Sequence, residues 1–323
     1  MHLSSTQRHS FTELLEPLKC YLGGMEPSTH YAIIEPRLVF LKVAHKTVIS
    51  QRETHHVGEF DGQMVMTKDT APCAIAKDKV RLAAIGDIHC TRTSQGTLQP
   101  LFEQIAESAD ILLLCGDLTD YGLPEEAHIL TQELSTAKIP MLAVFGNHDY
   151  ESAKQDEVQQ ILSDAGVIVL NGEACEIEGI GFAGVKGFGG GFGRGALGPW
   201  GEETIKRFVH EAVDEALKLE SALARLQTQQ RIALLHYSPI QATVQGEPPE
   251  IYPFLGSSRL EEPLNRYPVT AVFHGHAHFG SPEGRTSNDI PVYNVAMPLL
   301  KRTFPDQLPF RIVEIAIAAH AAT

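Results

Sequence analysis

Five short apolar runs, each ending in residues that bind metals well, constrain this chain more than any other feature. They are residues 82–85 before Gly86-Asp87-Ile88-His89, 111–115 before Gly116-Asp117, 141–145 before Gly146-Asn147-His148-Asp149, 232–235 before His236, and 269–273 before His274-Gly275-His276-Ala277-His278. Apolar runs of this length, bounded by turn residues, read as strands buried on both faces. Ligands of open α/β sheets collect outside the carboxyl ends of the strands. Five such strands would therefore deliver Asp, Asn and His to a single polar cluster.

The segments between these runs carry helical periodicity over 97–108 and 124–136, so residues 81–145 spell βαβαβ, a pattern of parallel strands joined by helical crossovers. A helix over 154–165 should stop at Gly166, and 167–185 reads as short strands turning at Asn171-Gly172 and at Gly179. A long helix follows over 202–229, with Ile205, Phe208, Ala212, Val213, Ala216, Leu217, Leu223 and Leu226 on one stripe. That stripe suits packing onto a sheet, and a homodimer through it is the second reading. Beyond strand 232–236, the segment 239–253 is rich in Pro, Gly and Gln and reads as a loop. A helix over 257–266, a strand over 269–274 and two strands within 290–296 and 310–317 complete the pattern. The run Gly187-Phe188-Gly189-Gly190-Gly191-Phe192-Gly193-Arg194-Gly195 is too rich in glycine for regular structure. It is either a flexible connection or a loop lining a substrate pocket, with Phe188, Phe192 and Arg194 as its side chains. Residues 1–78 carry no motif and read as a loosely structured or disordered N-terminal extension, leaving 79–323 as the catalytic domain.

Charge and cysteine content narrow the partners. With 40 acidic against 26 basic residues the net charge is −14, which disfavours nucleic acid, because that affinity comes largely from Lys and Arg neutralising phosphates. Five cysteines without a CxxC spacing indicate neither a disulfide framework nor a zinc knuckle. No apolar segment reaches the roughly 18–20 residues of a membrane span, and the first residues lack the apolar core of a signal peptide. A cytoplasmic protein without a membrane span is expected.

In order the cluster spells D-x-H (Asp87, His89), G-D-x-x-D (Asp117, Asp120), G-N-H-D (Asn147, His148, Asp149), an isolated His236 and G-H-x-H (His276, His278). This resembles the calcineurin-like metallophosphoesterase superfamily, over roughly residues 80–320. The resemblance implies a four-layer αββα sandwich, two mixed sheets flanked by helices. It also implies two divalent cations, one on Asp87, His89 and His278, the other on Asn147, His236 and His276. Asp117, a carboxylate directly at a strand end, is the natural bridge between them. Mixed oxygen and nitrogen donors suit Mn, Fe, Zn or Co better than Ca. Two such ions neutralise a phosphoester and acidify a bridging water, giving the hydroxide that attacks phosphorus. His148, the motif histidine outside both sets, would by resemblance act as general acid or phosphoryl contact, with Asp120 fixing its ring. Asp149 is expected to hold the turn after its strand, and His274 to be a buried, hydrogen-bonded core residue. Tyr121 and Asp149 depart from phosphoprotein phosphatases; Asp120 and His89 depart from purple acid phosphatases. What remains resembles the cyclic-nucleotide-phosphodiesterase-like branch, implying hydrolysis of a small or nucleotide-like phosphodiester. A phosphomonoesterase of the same fold, or a non-catalytic scaffold, is the alternative.

Overall fold

The computed structural model describes residues 78–317; the expectation for 1–78 lies, save its last residue, outside the described residues. Strand β1 (Lys79–Ile85), helix α1 (Gln99–Ser108), β2 (Ile111–Cys115), α2 (Pro124–Leu134), β3 (Met141–Val144), α3 (Gln155–Asp164) and β4 (Val167–Val169) form the first half of the domain. The strands pair in parallel, β1 to β2 to β3 to β4, and β11 (Arg311–Ala316) closes the sheet antiparallel to β1. The order is β11-β1-β2-β3-β4.

The second sheet has the order β5-β6-β7-β8-β10-β9. It contains β5 (Ala174–Ile177), β6 (Ile180–Gly184), β7 (Gln230–Leu234), β8 (Ala271–His274), β9 (Glu283–Arg285) and β10 (Pro291–Asn294). β6, β7, β8 and β10 run parallel, and the edge strands β5 and β9 run antiparallel to their neighbours. The β5–β6 hairpin turns on Glu178 and Gly179, both at positive φ, the geometry of a two-residue hairpin whose twist matches its strands.

Strand alternation sorts the apolar residues into three layers of core. Val80, Leu82, Ala84, Ile111, Leu113 and Cys115 meet Phe182, Ile232, Leu234 and Phe273 between the two sheets. Ala83, Ile85, Leu112 and Leu114 face the other way, onto Phe102 and Ile105 of α1, Leu130 of α2 and Leu162 of α3. On the far side of the second sheet, Val185, Leu235 and Val272 pack under α4 (Glu203–Arg225) and α6 (Ser258–Arg266). Helices, sheet, sheet, helices: the four expected layers are present. Burying a Phe or Leu side chain stabilises by about 1.5–3 kcal/mol, so the sheet interface, with Phe182 and Phe273 fully covered, is the mechanical base of everything at its edge.

Several details differ from the sequence reading. α4 ends at Arg225, and its buried face is Val209, Ala212, Glu215, Leu219, Ala222 and Leu223, with Ile205 and Leu217 exposed. The turn of face follows from Glu215, whose Oε2 accepts the backbone N–H of Gly187 at 2.7 Å and whose Oε1 accepts Lys218 Nζ at 2.6 Å. A buried carboxylate so satisfied costs little. The segment 239–253 holds 3-10 turns at Gln241–Val244 and Pro249–Ile251 leading into α5 (Tyr252–Leu255), and α7 (Met297–Thr303) follows β10. The glycine run is a ribbon docked on other backbone. Gly190 and Gly191 donate to the carbonyls of Pro253 and Gly256 at 2.6 and 2.9 Å, and Ser258 donates back to Gly191. A Cβ on Gly189 would lie 2.5 Å from the Pro253 carbonyl oxygen, which is why the ribbon is glycine there. Among the described residues no helix is long and apolar enough to cross a membrane.

Candidate metal centre

The strand ends converge where the two sheets meet, at an edge stitched by Gly86 donating to Val295 (2.9 Å) and Met297 donating to Gly86 (2.9 Å). Four polar residues there adopt left-handed backbone: Asp87 (φ 55°), His89 (47°), Asp117 (48°) and His276 (71°). Such backbone costs a non-glycine residue about 1–2 kcal/mol, and its concentration at one place marks a centre the surrounding fold over-determines. Two glycines let the chain come in close. A Cβ on Gly146 would stand 2.1 Å from Asp117 Oδ1, and one on Gly275 would stand 2.3 Å from Asp87 Oδ2.

Two groups of donors flank Asp117, and a third, of His89, Asp120 and His148, adjoins the first. In the first, Asp87 is fully buried and accepts the backbone N–H of His276 (2.9 and 3.0 Å) and the ring Nε2 of His278 (2.8 Å), with His89 beside them. In the second, Asp117, His236 and His276 lie within reach of one ion, and Asn147 Oδ1 is 3.0 Å from His236 Nε2. The Asp117 carboxylate faces both. Its Oδ1 lies 3.4 Å from His236 Nε2 and its Oδ2 lies 3.8 Å from His89 Nε2.

Ring tautomers follow from the outer contacts, since a nitrogen facing a carbonyl must carry the proton. His236 Nδ1 donates to the Cys115 carbonyl at 3.0 Å, so Nε2, which faces the oxygens of Asn147 and Asp117, is the nitrogen that would give up its proton to bind a cation. His276 Nε2 donates to the Phe254 carbonyl at 3.1 Å, leaving Nδ1 for a ligand. His89 Nδ1 is 3.1 Å from Asp120 Oδ1, and its Nε2 is buried without a hydrogen-bond partner among the described residues. An orphaned ring nitrogen aimed at a buried carboxylate fits a cation between them, since buried polar atoms otherwise find partners. Electrostatics agree. Burial opposes charge on both Asp117 and His236, yet their mutual attraction wins, holding the Asp117 carboxyl well below the usual carboxylate range and pushing His236 up to about 9. The centre's donors are carboxylate, amide oxygen and imidazole, a set that fits Mn, Fe, Zn or Co.

His148 stands beside the centre. Its ring lies edge-on to His89, centroids 4.5 Å apart, and its Nδ1 donates to the backbone carbonyl of Asp120 at 2.7 Å. Asp120 thus steadies His148 through its carbonyl and spends its carboxylate on His89, whereas the sequence reading assigns that carboxylate to His148. Asp149 is fully buried and accepts four hydrogen bonds, from Leu118 N, Thr119 N, Thr119 Oγ1 and Gly146 N at 2.6–3.2 Å. It fastens the turn after β2 to the turn after β3, and so the carboxylate of Asp117 to the amide of Asn147. His274 is buried between the Gly275 carbonyl and Thr243 Oγ1, both at 2.8 Å, and burial drops it to about 4. Burial likewise pushes the Cys90 thiol up to about 12, which keeps it inert.

The glycine ribbon divides its side chains. Phe188 lines a cleft that opens onto Asn147 and His276; Phe192 is buried against Val244, Leu255 and Ala277; Arg194 is exposed on the turn Gly193–Gly195. The cleft also uses Phe208, which the sequence reading put on the packing stripe of α4, and Tyr237, Ile251 and Phe254, which it did not single out. Of these last three only Tyr237 carried a signal, by following His236 directly.

Comparison with known proteins bears on this centre. An uncharacterized metallophosphoesterase of Bacillus subtilis (strain 168), YkoQ, is 32% identical over 117 residues, 34% of this chain; the matched part is 42% of the relative's length. Among solved structures, the phosphopantetheinyl hydrolase PptH of Mycobacterium tuberculosis superposes with a TM-score of 0.52 at 18% identity, over 73% of this chain and 96% of that one. The protein TT1561 of Thermus thermophilus gives 0.44 at 14% identity, over 74% and 99%. The calcineurin-like phosphoesterase family model matches residues 80–280, a span that takes in both donor groups from Asp87 to His278, and the chain belongs to that family.

Proposed function

We propose that the chain hydrolyses a phosphodiester with two divalent cations, one held by Asp87, His89 and His278, the other by Asn147, His236 and His276, with Asp117 shared. The observation that carries this reading is the Asp117 carboxylate, whose two oxygens face one donor group each. Bound there, such ions neutralise the ester's charge and supply an acidified water. The chain's own residues do the rest. Asp120 holds the His89 ring so that Nε2 faces Asp117. The Asp120 carbonyl keeps a His148 proton on Nδ1, so Nε2 is the atom that passes a proton to the departing oxygen. Asp149 keeps the Asp117 and Asn147 turns in register.

The preference for a diester rests on charge. Among the described residues no lysine or arginine lines the cleft that opens onto Asn147 and His276, so no side chain there would offset a monoester's second negative charge, which suits a monoanionic diester better. The test is elemental analysis of the purified protein together with turnover of bis(p-nitrophenyl) phosphate and p-nitrophenyl phosphate. About two ions per chain and faster diester hydrolysis are expected. Faster monoester hydrolysis would make it a phosphomonoesterase, and two bound ions with neither activity would make it a scaffold.

A further inference from the structure

The cleft beside the second donor group has a volume of about 400 Å³, within the range of small-molecule sites. Asn147 and His276 form its inner end, and its walls are the rings of Phe188, Phe208, Tyr237 and Phe254 with Ile251. The rings form a continuous run leading out from the centre. Tyr237 is 4.4 Å from His276 centroid to centroid, Phe188 is 5.8 Å from Tyr237, Phe208 is 4.9 Å from Phe188, and Phe254 is 6.0 Å from Phe208. Among the described residues no Asp, Glu, Lys or Arg side chain lines the cleft. At its mouth Phe254 is 59% and Ile251 38% exposed, an apolar rim of the sort that marks a ligand groove. The wall is fixed in place. The Phe254 carbonyl accepts the proton of His276 Nε2, the glycine ribbon clamps Pro253, and Lys186 Nζ lies 4.8 Å from the centroid of Phe188 and 5.3 Å from that of Tyr237.

We propose that this cleft is the subsite for the organic group of the ester, and that the group it takes is uncharged, apolar and about the size of one ring. The proposal rests on the hydrolytic reading above and narrows it. A charged headgroup would find no counter-charge among these walls and would lose hydration against them, whereas an uncharged ring stacks on them. A phenyl or branched alkyl group meets mainly ring and side-chain carbon there, with the polar groups of Asn147 and His276 at the inner end.

Binding to the full-length, metal-loaded protein tests the cleft without turnover. Phenylphosphonate, methylphosphonate and 2-aminoethylphosphonate share the phosphoryl head and differ in the group the cleft would hold. By calorimetry, phenylphosphonate should bind at least about 10-fold more tightly than either of the others. Phe254→Ala, at a largely exposed ring, and Phe208→Ala should each close that gap by about 3- to 10-fold, with metal content unchanged. In parallel, phenyl p-nitrophenyl phosphate should exceed methyl p-nitrophenyl phosphate in kcat/KM, and the same variants should erode the advantage. Equal binding of the three phosphonates, no binding of any, or a gap that survives both variants would overturn the proposal. Hydrolysis without a gap sinks the subsite alone; a gap without hydrolysis sinks the catalytic reading alone.

Discussion

Replacing Asp149 tests whether the centre is held by a carboxylate that never touches a ligand. Asp149→Ala strands three buried backbone donors, those of Leu118, Thr119 and Gly146, together with the Thr119 hydroxyl. An unsatisfied buried donor costs about 1–3 kcal/mol, and some water will enter the space left, so a loss of about 3–6 kcal/mol is expected. In a domain of this size each kcal/mol moves Tm by about 2–4 °C, giving a drop of roughly 6–24 °C. Thr119→Val removes only the hydroxyl bond and should cost about 1 kcal/mol. Melting should be followed in the presence of chelator, because bound metal would add its own stabilisation. If Asp149→Ala melts within about 2 °C of Thr119→Val, the four bonds do not hold the two turns together and the account of this residue fails.

Asp117→Ala should lower metal content and abolish activity together, whereas His148→Ala should keep its metals and lose about 10²–10⁴-fold in kcat, less on substrates with a good leaving group; loss of an ion from His148→Ala would refute the proton-donor role. Asp120→Asn should weaken metal binding about 10- to 100-fold through the His89 ring, measured by competition with a chromophoric chelator, and an unchanged affinity would show the 3.1 Å contact to be idle. In the metal-free protein His236 is raised from 6.5 to about 9 against burial, by Asp117. The stability this proton gives is complete below the unfolded value and is lost as pH rises through about 9, while metal, which must expel the proton, binds more tightly over the same interval. Chelated protein should therefore melt lower at pH 9 than at pH 6.5, and metal should raise Tm more at pH 9; a flat profile would contradict the pairing.

The candidate ligand residues were legible because buried parallel strands must be apolar on both faces, so a carboxylate or histidine ending such a run stands out. The same reasoning yielded most of the strands and the longer helices, while the two-sheet arrangement came from the family resemblance. That reasoning failed where burial depends on a partner far along the chain. Glu215 looks like a solvent-facing residue of α4 until the Gly187 amide is placed against it, and Glu133 hides likewise under the amides of Gly96, Leu98 and Gln99. β9, only Glu283-Gly284-Arg285, has no apolar run to announce it. Phe188 and Phe192 sit in the same glycine-rich run, and only packing sends one to the cleft and the other to the core. Asp120 could have reached either ring, and sequence carries no orientation.

The pairing of β1 with β11 has a consequence for how the chain is made. Lys79 and Glu314, joined across that pairing, are 235 residues apart. At a synthesis rate of about 5–20 residues per second, β1 waits roughly 10–50 s for its edge partner, its N–H and C=O groups open to any passing strand. Every donor from Asp87 to His278 leaves the ribosome before that edge is covered. Folding of the first sheet must therefore finish after translation of this domain, through a contact of long sequence separation and correspondingly slow closure. The yield of folded protein should accordingly fall when synthesis is slowed, which lengthens that wait, and rise with added chaperone, which shields the open edge.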